Sequence, residues 1–284
     1  MTILYILLLG LLGTTKVTIQ GKFGRKNVIS TADAVFFNGL IFLFSALIFL
    51  KDAFSADPVT IYYAIAFGVS SMLFQVTYLQ AIASGNLSIT VMLVNFSVVI
   101  PVIVSLTVYG EQMTWFRGIG MALIAVSFIL CTNFKGTKGV TKKWITMATL
   151  ATLSNGAANL VQKLFAAEGT GQTQAYVSWG YLFAAISSVI LYLILCASGH
   201  KKTFPTRPNV FGYACATGVV LGTFQFFYSK GAQVIDGSVF FPTYSGMAII
   251  LSALTGVVLF KDKLSIKQII AIGCGTTALV LMNM

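Results

Sequence analysis

The sequence contains few charged residues. Asp, Glu, Lys and Arg make up 9% of its 284 residues, whereas a typical soluble domain has about 25%. Hydrophobic residues make up 57% of the chain, and the mean hydropathy is +0.89. This composition excludes an ordinary soluble domain and predicts an all-α integral membrane protein, because apolar runs of about 20 residues span the hydrocarbon core of a bilayer as helices.

Acidic residues, histidine and paired cysteines are also scarce. The chain has seven acids and one histidine, His200, and they form no Ser/His/Asp arrangement and no metal-ligand cluster. The sequence therefore predicts that the protein is not an enzyme and has no cofactor and no metal site. The four cysteines lie inside apolar runs without CxxC spacing, which is typical of small buried side chains rather than of a disulfide framework.

The net charge of +11 raises the question of nucleic acid as a partner. The Lys and Arg residues lie in short links between apolar runs, where they set membrane orientation and contact anionic head groups. We therefore expect membrane lipid as a partner and no nucleic acid.

The apolar runs predict ten transmembrane helices. Their expected ranges are about 2–21, 32–50, 59–83, 87–109, 115–133, 144–165, 174–197, 209–233, 238–260 and 266–283. The fourth range contains Pro101, which predicts a bend there, and the ninth contains Pro242 near its start.

The two halves of the chain repeat one another. At a constant offset of 150, the matched residues are Phe74 and Phe224, Gln75 and Gln225, Tyr78 and Tyr228, and Ser88 and Ser238. One further residue of offset places Glu111 on Asp262. We expect two five-helix units, residues 1–134 and 135–284. Because five is odd, the second unit must cross the membrane in the opposite sense, which is an inverted repeat typical of transporters.

These features resemble a known family. The Gly110-Glu111 pair with its counterpart at 261–262, the segment NLVQK at 159–163, and the Gly85-Asn86 and Asp236-Gly237 turns are similar to the drug/metabolite transporter superfamily, EamA type. The resemblance covers nearly the whole chain. It implies a carrier of a small-molecule solute, often an amino acid or a related metabolite, that works by alternating access. It also implies a cavity between the halves, lined by helices 1, 3, 4, 6, 8 and 9.

Polar residues inside apolar helices are the candidate solute-binding groups, because an unpaired polar group in hydrocarbon is costly and normally faces a cavity or a partner. Several share a helix face at spacings of three or four residues. The candidates are Lys16, Gln20, Gln75, Tyr78, Asn95, Asn155, Asn159, Trp179, Gln225, Tyr228, Tyr244 and Ser245. Trp179 is expected to add an aromatic wall.

Lys16 is the one formal charge well inside a predicted helix. It lies about 22 Å along the first helix. Its side chain can either snorkel to the nearer membrane edge or meet the carboxylate of a solute. The second reading predicts an anionic or zwitterionic solute.

Other functions and roles stay open at this stage. Asn, Gln and Ser in membrane helices also serve as interhelical hydrogen-bonding groups, so each polar candidate can bind either solute or a neighbouring helix. A channel or a non-transporting membrane scaffold is the alternative to a carrier. Small residues such as Gly118 and Ala122, or Ala271 and Gly275, can pack helices within a monomer or support a homodimer.

The basic residues also predict an orientation. Thirteen of the eighteen Lys and Arg residues fall in or beside the links after helices 1, 5, 7 and 9, and four fall on the opposite side. By the positive-inside rule, both termini then lie outside the cytoplasm. The family resemblance implies the reverse, since its members usually keep both termini in the cytoplasm. We favour the charge argument because the links are short.

Overall fold

The computed structural model of the protein describes residues 2–27, 31–84, 90, 93–131, 141–198, 209–260 and 266–282. These residues form helices and turns, with no β-strand among them. We number their helices of nine residues or more in chain order as α1 (Thr2–Asn27), α2 (Thr31–Leu47), α3 (Pro58–Ser84), α4 (Val99–Thr107), α5 (Trp115–Cys131), α6 (Lys142–Glu168), α7 (Thr173–Ala197), α8 (Val210–Val234), α9 (Gly237–Phe260) and α10 (Ile266–Met282).

Several boundaries differ from the sequence-based expectation. The sixth helix, expected at 144–165, runs from Lys142 to Glu168, and the ends of the first two helices also differ. The first helix, expected to end near residue 21, continues to Asn27, because Lys and Arg are good helix formers and no proline interrupts the basic segment. The second ends at Leu47 instead of near residue 50, and Leu50–Ala53 forms a separate one-turn helix. The expected start of the fourth helix, at residues 87–89, lies outside the described residues.

Three helical segments in the described part of the chain are long and apolar enough to cross a membrane, judged by length and composition: Pro58–Ala81, Thr173–Ala197 and Val210–Val234. Shorter apolar segments are Ile3–Lys16, Thr31–Leu47, Leu93–Thr107, Trp115–Ser127 and Ile269–Ala278. The number of ten membrane crossings therefore stays a prediction.

One face of α7 carries a stripe of exposed apolar side chains. Its members recur at helical spacing: Ile186, Val189, Ile190, Leu193 and Ile194. An apolar stripe of this kind is unfavourable in water and is typical of a surface that faces lipid. The opposite face of α7 is buried and includes Tyr176 and Tyr181.

The helix contacts repeat between the two parts of the chain. α3 packs against α6 and α7, and α8 packs against α1 and α2 in the same way. α4 packs against α6, as α9 packs against α1. Helices that differ by five in number therefore make equivalent contacts: the contact of α3 with α6 corresponds to that of α8 with α1. The helices α5 and α10, which also differ by five, pack on each other. Equivalent surfaces of the two parts thus meet at the centre.

Two glycines at the repeat offset of 150 allow the closest of these approaches. A Cβ atom on Gly218 of α8 would lie 2.7 Å from the carbonyl oxygen of Ile41 in α2. A Cβ atom on Gly68 of α3 would overlap the carbonyl oxygen of Gly180 in α7. Because a backbone carbonyl within a helix cannot move aside as a flexible side chain can, both crossings require glycine.

Candidate functional site

A cavity of about 190 Å³ lies among α1–α3, the turn before α4, and α6–α9. Its wall combines amides, hydroxyls and one lysine with many aromatic rings. The aromatic lining residues are Phe42, Phe67, Phe74, Tyr181, Phe224, Tyr228 and Tyr244. A mostly apolar, concave wall with a few convergent polar groups is the usual form of a small-molecule site.

The structure brings nine of the twelve sequence candidates to this wall. They are Lys16, Gln75, Asn95, Asn155, Asn159, Gln225, Tyr228, Tyr244 and Ser245. They reach it from six helical segments, which are α1, α3, the turn before α4, α6, α8 and α9. That they bind a solute stays a prediction.

Three candidates are not on the described wall. Trp179 is away from it: its indole N–H donates to the carbonyl oxygen of Ala53 at 2.9 Å, and its ring stacks on Phe183. Trp179 is therefore not part of the described lining, because the indole binds the one-turn helix after α2. Tyr78 is not among the lining residues, and its ring lies 5.3 Å from that of Phe74. The side chain of Gln20 is outside the described part of the chain.

Lys16 is the one cationic residue among the lining residues that the structure describes, and no carboxylate lines the cavity with it. The ion pairs in the described residues are Arg117 with Asp236 and Lys163 with Glu111, so Lys16 has no acid partner there. An unpaired cation beside aromatic walls is a costly arrangement in hydrocarbon, and such residues mark functional sites.

A hydrogen-bonded chain crosses the cavity wall from α6 to α8. Gln162, which is 1% exposed, accepts a bond from Nε2 of Gln225 at 2.5 Å and donates from its own Nε2 to Ser229 at 2.8 Å. The hydroxyl of Tyr181 donates to Oε1 of Gln225 at 3.3 Å. On the neighbouring turn, the Tyr228 hydroxyl donates to Asn159 at 3.4 Å.

Gln162 lies on the same helix face as Asn155 and Asn159, and this spacing predicts it beside them on the cavity wall, although it is not among the twelve solute-binding candidates. Tyr181 and Ser229 were absent from the sequence-based expectations. Tyr181 and Ser229 have no comparable signal, since single Tyr and Ser residues are common in apolar helices.

The helix that contains Asn95 is irregular where it meets the cavity. Phe96–Val98 forms a 3₁₀ turn, and Pro101, three residues later, cannot donate a bond to the carbonyl of Ser97. Asn155 of α6 contacts this irregular turn, because its Nδ2 donates to the Ser97 hydroxyl at 2.6 Å and to the Val94 carbonyl at 3.4 Å. An interrupted helix at a cavity is a common feature of transporter binding sites.

Glu111 ties one end of the cavity together. Gly110 adopts a positive φ of 64°, and the chain then turns back so that the N–H of Glu111 donates to the carbonyl of Ser105 at 3.1 Å. The carboxylate of Glu111 accepts bonds from the backbone N–H groups of Gly237 and Ser238, at the N-terminus of α9, and from Lys163 of α6.

The surroundings of Glu111 keep it ionised. Burial opposes ionisation, but the bonds from Lys163 and from the N–H groups of Ser238 and Gly237 outweigh it, and they lower the pKa of Glu111 to about 2. The N-terminus of a helix adds favourable partial positive charge. The carboxylate is therefore negative at every physiological pH.

Along α9, two buried aromatic residues lie between those that bind Glu111 and those that line the cavity. Phe240 and Phe241, the residues after Ser238 and Val239 in α9, are both 0% exposed. The ring of Phe240 lies 4.9 Å from that of Tyr228, which lines the cavity. The order along α9 is thus Tyr244 at the cavity, then Phe241 and Phe240, then the N–H groups that bind Glu111.

Metal ligation has no support in the described residues, which contain no group of three or more His, Cys, Asp or Glu placed to hold an ion.

The architecture and the site together define a class of protein. Apolar helices with exposed apolar faces, a contact pattern that repeats between two parts of the chain, and a central polar cavity are the features of a multi-pass membrane transporter. The model of the EamA-like transporter family matches residues 1–133 and 142–284, so the chain belongs to that family. Members of this family are transporters rather than enzymes.

The chain is also similar to two individual proteins. A curated relative, "Multidrug resistance protein EbrA" of Bacillus licheniformis, is 28% identical over 109 residues, which cover 37% of this chain and 96% of the relative. A solved structure, described only as the crystal structure of a protein, has a TM-score of 0.76 at 12% identity, over 97% of this chain and 98% of its own. The structural likeness shows a shared fold.

Proposed function

We propose that the protein is a secondary carrier that moves a small anionic or zwitterionic metabolite across the membrane by alternating access. An amino acid or a close relative is the first candidate, because the EamA type of transporter often carries such solutes. The observation that supports this proposal is Lys16, a cation in an aromatic and amide-lined cavity whose described lining residues include no acid.

The preference for a negative solute group follows from the solvation of the Lys16 charge. A charged group in a low-dielectric cavity interacts with an opposite charge far more strongly than it does in water. A solute carboxylate that meets Lys16 would replace the water that the ammonium group loses, and the aromatic rings would cover the apolar part of the solute. The ammonium group of a zwitterion would meet amide oxygens and aromatic faces, which also attract cations.

The repeated helix contacts support alternating access. Five helices per unit predict that the two units are inverted relative to each other, and the contacts of α3 with α6 and α8 with α1 are equivalent under that inversion. The buried aromatic rings and the Glu111 cluster are the groups that we expect to close one end of the cavity. A carrier would open this end when it closes the other.

A second candidate is the export of organic cations, since the relative EbrA is named a multidrug resistance protein. A cavity whose described lining includes Lys16 and no carboxylate argues against it, because a cation would be repelled by the lysine. A channel or a scaffold protein is the third candidate.

Solute counterflow in liposomes tests these alternatives. We expect the purified protein to exchange a radiolabelled amino acid or related anion from a metabolite panel against the same unlabelled solute. Lys16→Gln should reduce this exchange by roughly tenfold or more, since it removes the charge that meets the carboxylate. Passive flux without counterflow would indicate a channel, and no flux would indicate a scaffold.

Two control variants make the Lys16 result specific. Lys16→Arg keeps the charge and should retain part of the exchange. Lys51→Gln removes a charge from an exposed residue of the one-turn helix and should exchange like the wild type. Unchanged exchange in Lys16→Gln, or a preference of the wild type for organic cations, would contradict the proposal.

A further inference from the structure

The amide of Gln162 binds two residues of α8 in the cavity wall. Its oxygen accepts from Gln225 at 2.5 Å, its nitrogen donates to Ser229 at 2.8 Å, and the residue is 1% exposed. A side chain that is almost completely buried and binds two protein groups in this way is suited to positioning its neighbours.

The amides of Gln162 and Gln225 face each other. The nitrogen of Gln162 binds Ser229, its oxygen faces Gln225, and Gln225 turns its own nitrogen towards Gln162. The oxygen of Gln225 is left to accept from Tyr181. These hydrogen-bonded side chains are all neutral. Lys16 is therefore the one charged residue among the cavity-lining residues that the structure describes.

A carboxylate would fit at position 162 without breaking these contacts. Both partners can donate to an acceptor, since Gln225 supplies an N–H group and the Ser229 hydroxyl can turn its proton towards residue 162. Glutamate has the same shape as glutamine. The effect of the change would therefore be mainly electrostatic.

From this geometry we infer that Gln162 is a specificity-determining position that sets the charge class of the solute. Its neutral amide leaves Lys16 uncompensated, and the cavity therefore selects a negative group. A carboxylate at position 162 would balance Lys16 and remove that selection. With Lys16 also neutralised, the same carboxylate would select a positive group. This inference rests on the proposed function in its assignment of the wild-type solute.

Three probes of one aromatic skeleton separate the charge classes. 3-Phenylpropionate carries a carboxylate, phenethylamine carries an ammonium group, and phenylalanine carries both. Their phenyl ring suits the aromatic wall of the cavity. We would measure the dissociation constant of each probe for the detergent-solubilised full chain.

The wild type should bind 3-phenylpropionate and phenylalanine in preference to phenethylamine. Gln162→Glu should weaken binding of 3-phenylpropionate by roughly tenfold or more. The double variant Lys16→Gln with Gln162→Glu should reverse the order, so that phenethylamine binds best. A solely structural role for Gln162 would weaken all three probes alike.

Gln233→Glu is the matched control, since the Gln233 amide donates to Thr173 at 3.0 Å and does not line the cavity. This variant should bind like the wild type. If Gln162→Glu does not fold, Gln225→Glu replaces it in the experiment. This variant places the carboxylate on the hydrogen-bonded neighbour of Gln162, where Tyr181 can still donate to it, and we expect the same shifts in the dissociation constants.

The two proposals fail differently in this experiment. A wild type that prefers phenethylamine would overturn the proposed anionic or zwitterionic solute. An order of preference that stays the same in the double variant, or in Gln225→Glu combined with Lys16→Gln, would overturn the role of Gln162.

Discussion

Glu111 shows how a single side chain can join distant parts of this chain. It follows α4, yet its carboxylate binds α6 through Lys163 and the first N–H groups of α9 through Gly237 and Ser238. The side chains of Glu111 and Lys163 are only 10% and 11% exposed. A buried carboxylate with three donors is stabilising as a group, and removing its charge leaves those donors unsatisfied.

We expect Glu111→Gln to lower the melting temperature of the solubilised protein by about 2–6 °C, from a loss of about 1–3 kcal/mol. The folded-state pKa of about 2 is below the ordinary value of 4.5. The charge therefore contributes its full stability above about pH 4.5, and this contribution is lost as the pH falls from there towards 2.

Thermal unfolding of the wild type and of Glu111→Gln across the pH range tests this contribution of the Glu111 charge. The difference in melting temperature should be constant from about pH 8 to pH 5 and should shrink below about pH 4.5. Arg117→Gln is the control, because its partner Asp236 is 54% exposed and surface pairs contribute little. A difference that does not change with acidification would show that ionised Glu111 does not stabilise this end.

At the scale of helices, the repeat-matched glycines Gly68 and Gly218 set the distances between α3 and α7 and between α8 and α2. We expect Gly68→Ala and Gly218→Ala each to destabilise the protein by about 1–3 kcal/mol, because the added methyl group meets backbone carbonyls that cannot move. The measurement is the melting temperature of each variant in detergent.

Gly273→Ala in α10 is the matched control for these two variants. A Cβ atom there meets nothing within 4 Å, so alanine should be neutral or slightly stabilising through its higher helix propensity. If all three variants melted at the same temperature, the close helix crossings would not limit stability.

At the scale of the whole molecule, the distribution of basic residues predicts the orientation in the membrane. The links that carry most of the Lys and Arg residues should face the cytoplasm, which leaves both termini outside it. A phosphatase reporter that is active only outside the cytoplasm should therefore be active when it is fused after Met284. The same reporter fused after residue 139, in a basic link, should be inactive.

The opposite pair of reporter activities would contradict the charge argument. Both termini would then lie in the cytoplasm, as the resemblance to EamA transporters implies. The Glu111 cluster would face the cytoplasm as well, because it lies at the same end of the helices as the N-terminus of α1.

The sequence by itself determined the all-helical class, the approximate positions of the helices and the family. It also supplied nine polar residues that the structure places on one cavity wall. These features are local or periodic: hydropathy predicts a helix, a spacing of three or four residues predicts a shared face, and a constant offset reveals a repeat. Trp179 is not among the described lining residues, and its contact with Ala53 depends on the one-turn helix after α2, which no local pattern of α7 predicts.

Only the tertiary structure decided which side chains bind one another. The partners of Gln162, Gln225 and Glu111 lie 44 to 127 residues away along the chain, apart from the weak contact of Gln225 with Ser229. Such pairs depend on the rotation and separation of packed helices, which are set by close contacts such as that of Gly218 with α2. A local pattern shows that a glutamine faces inward, but the packing of several helices decides whether it is held by protein or left open to a solute.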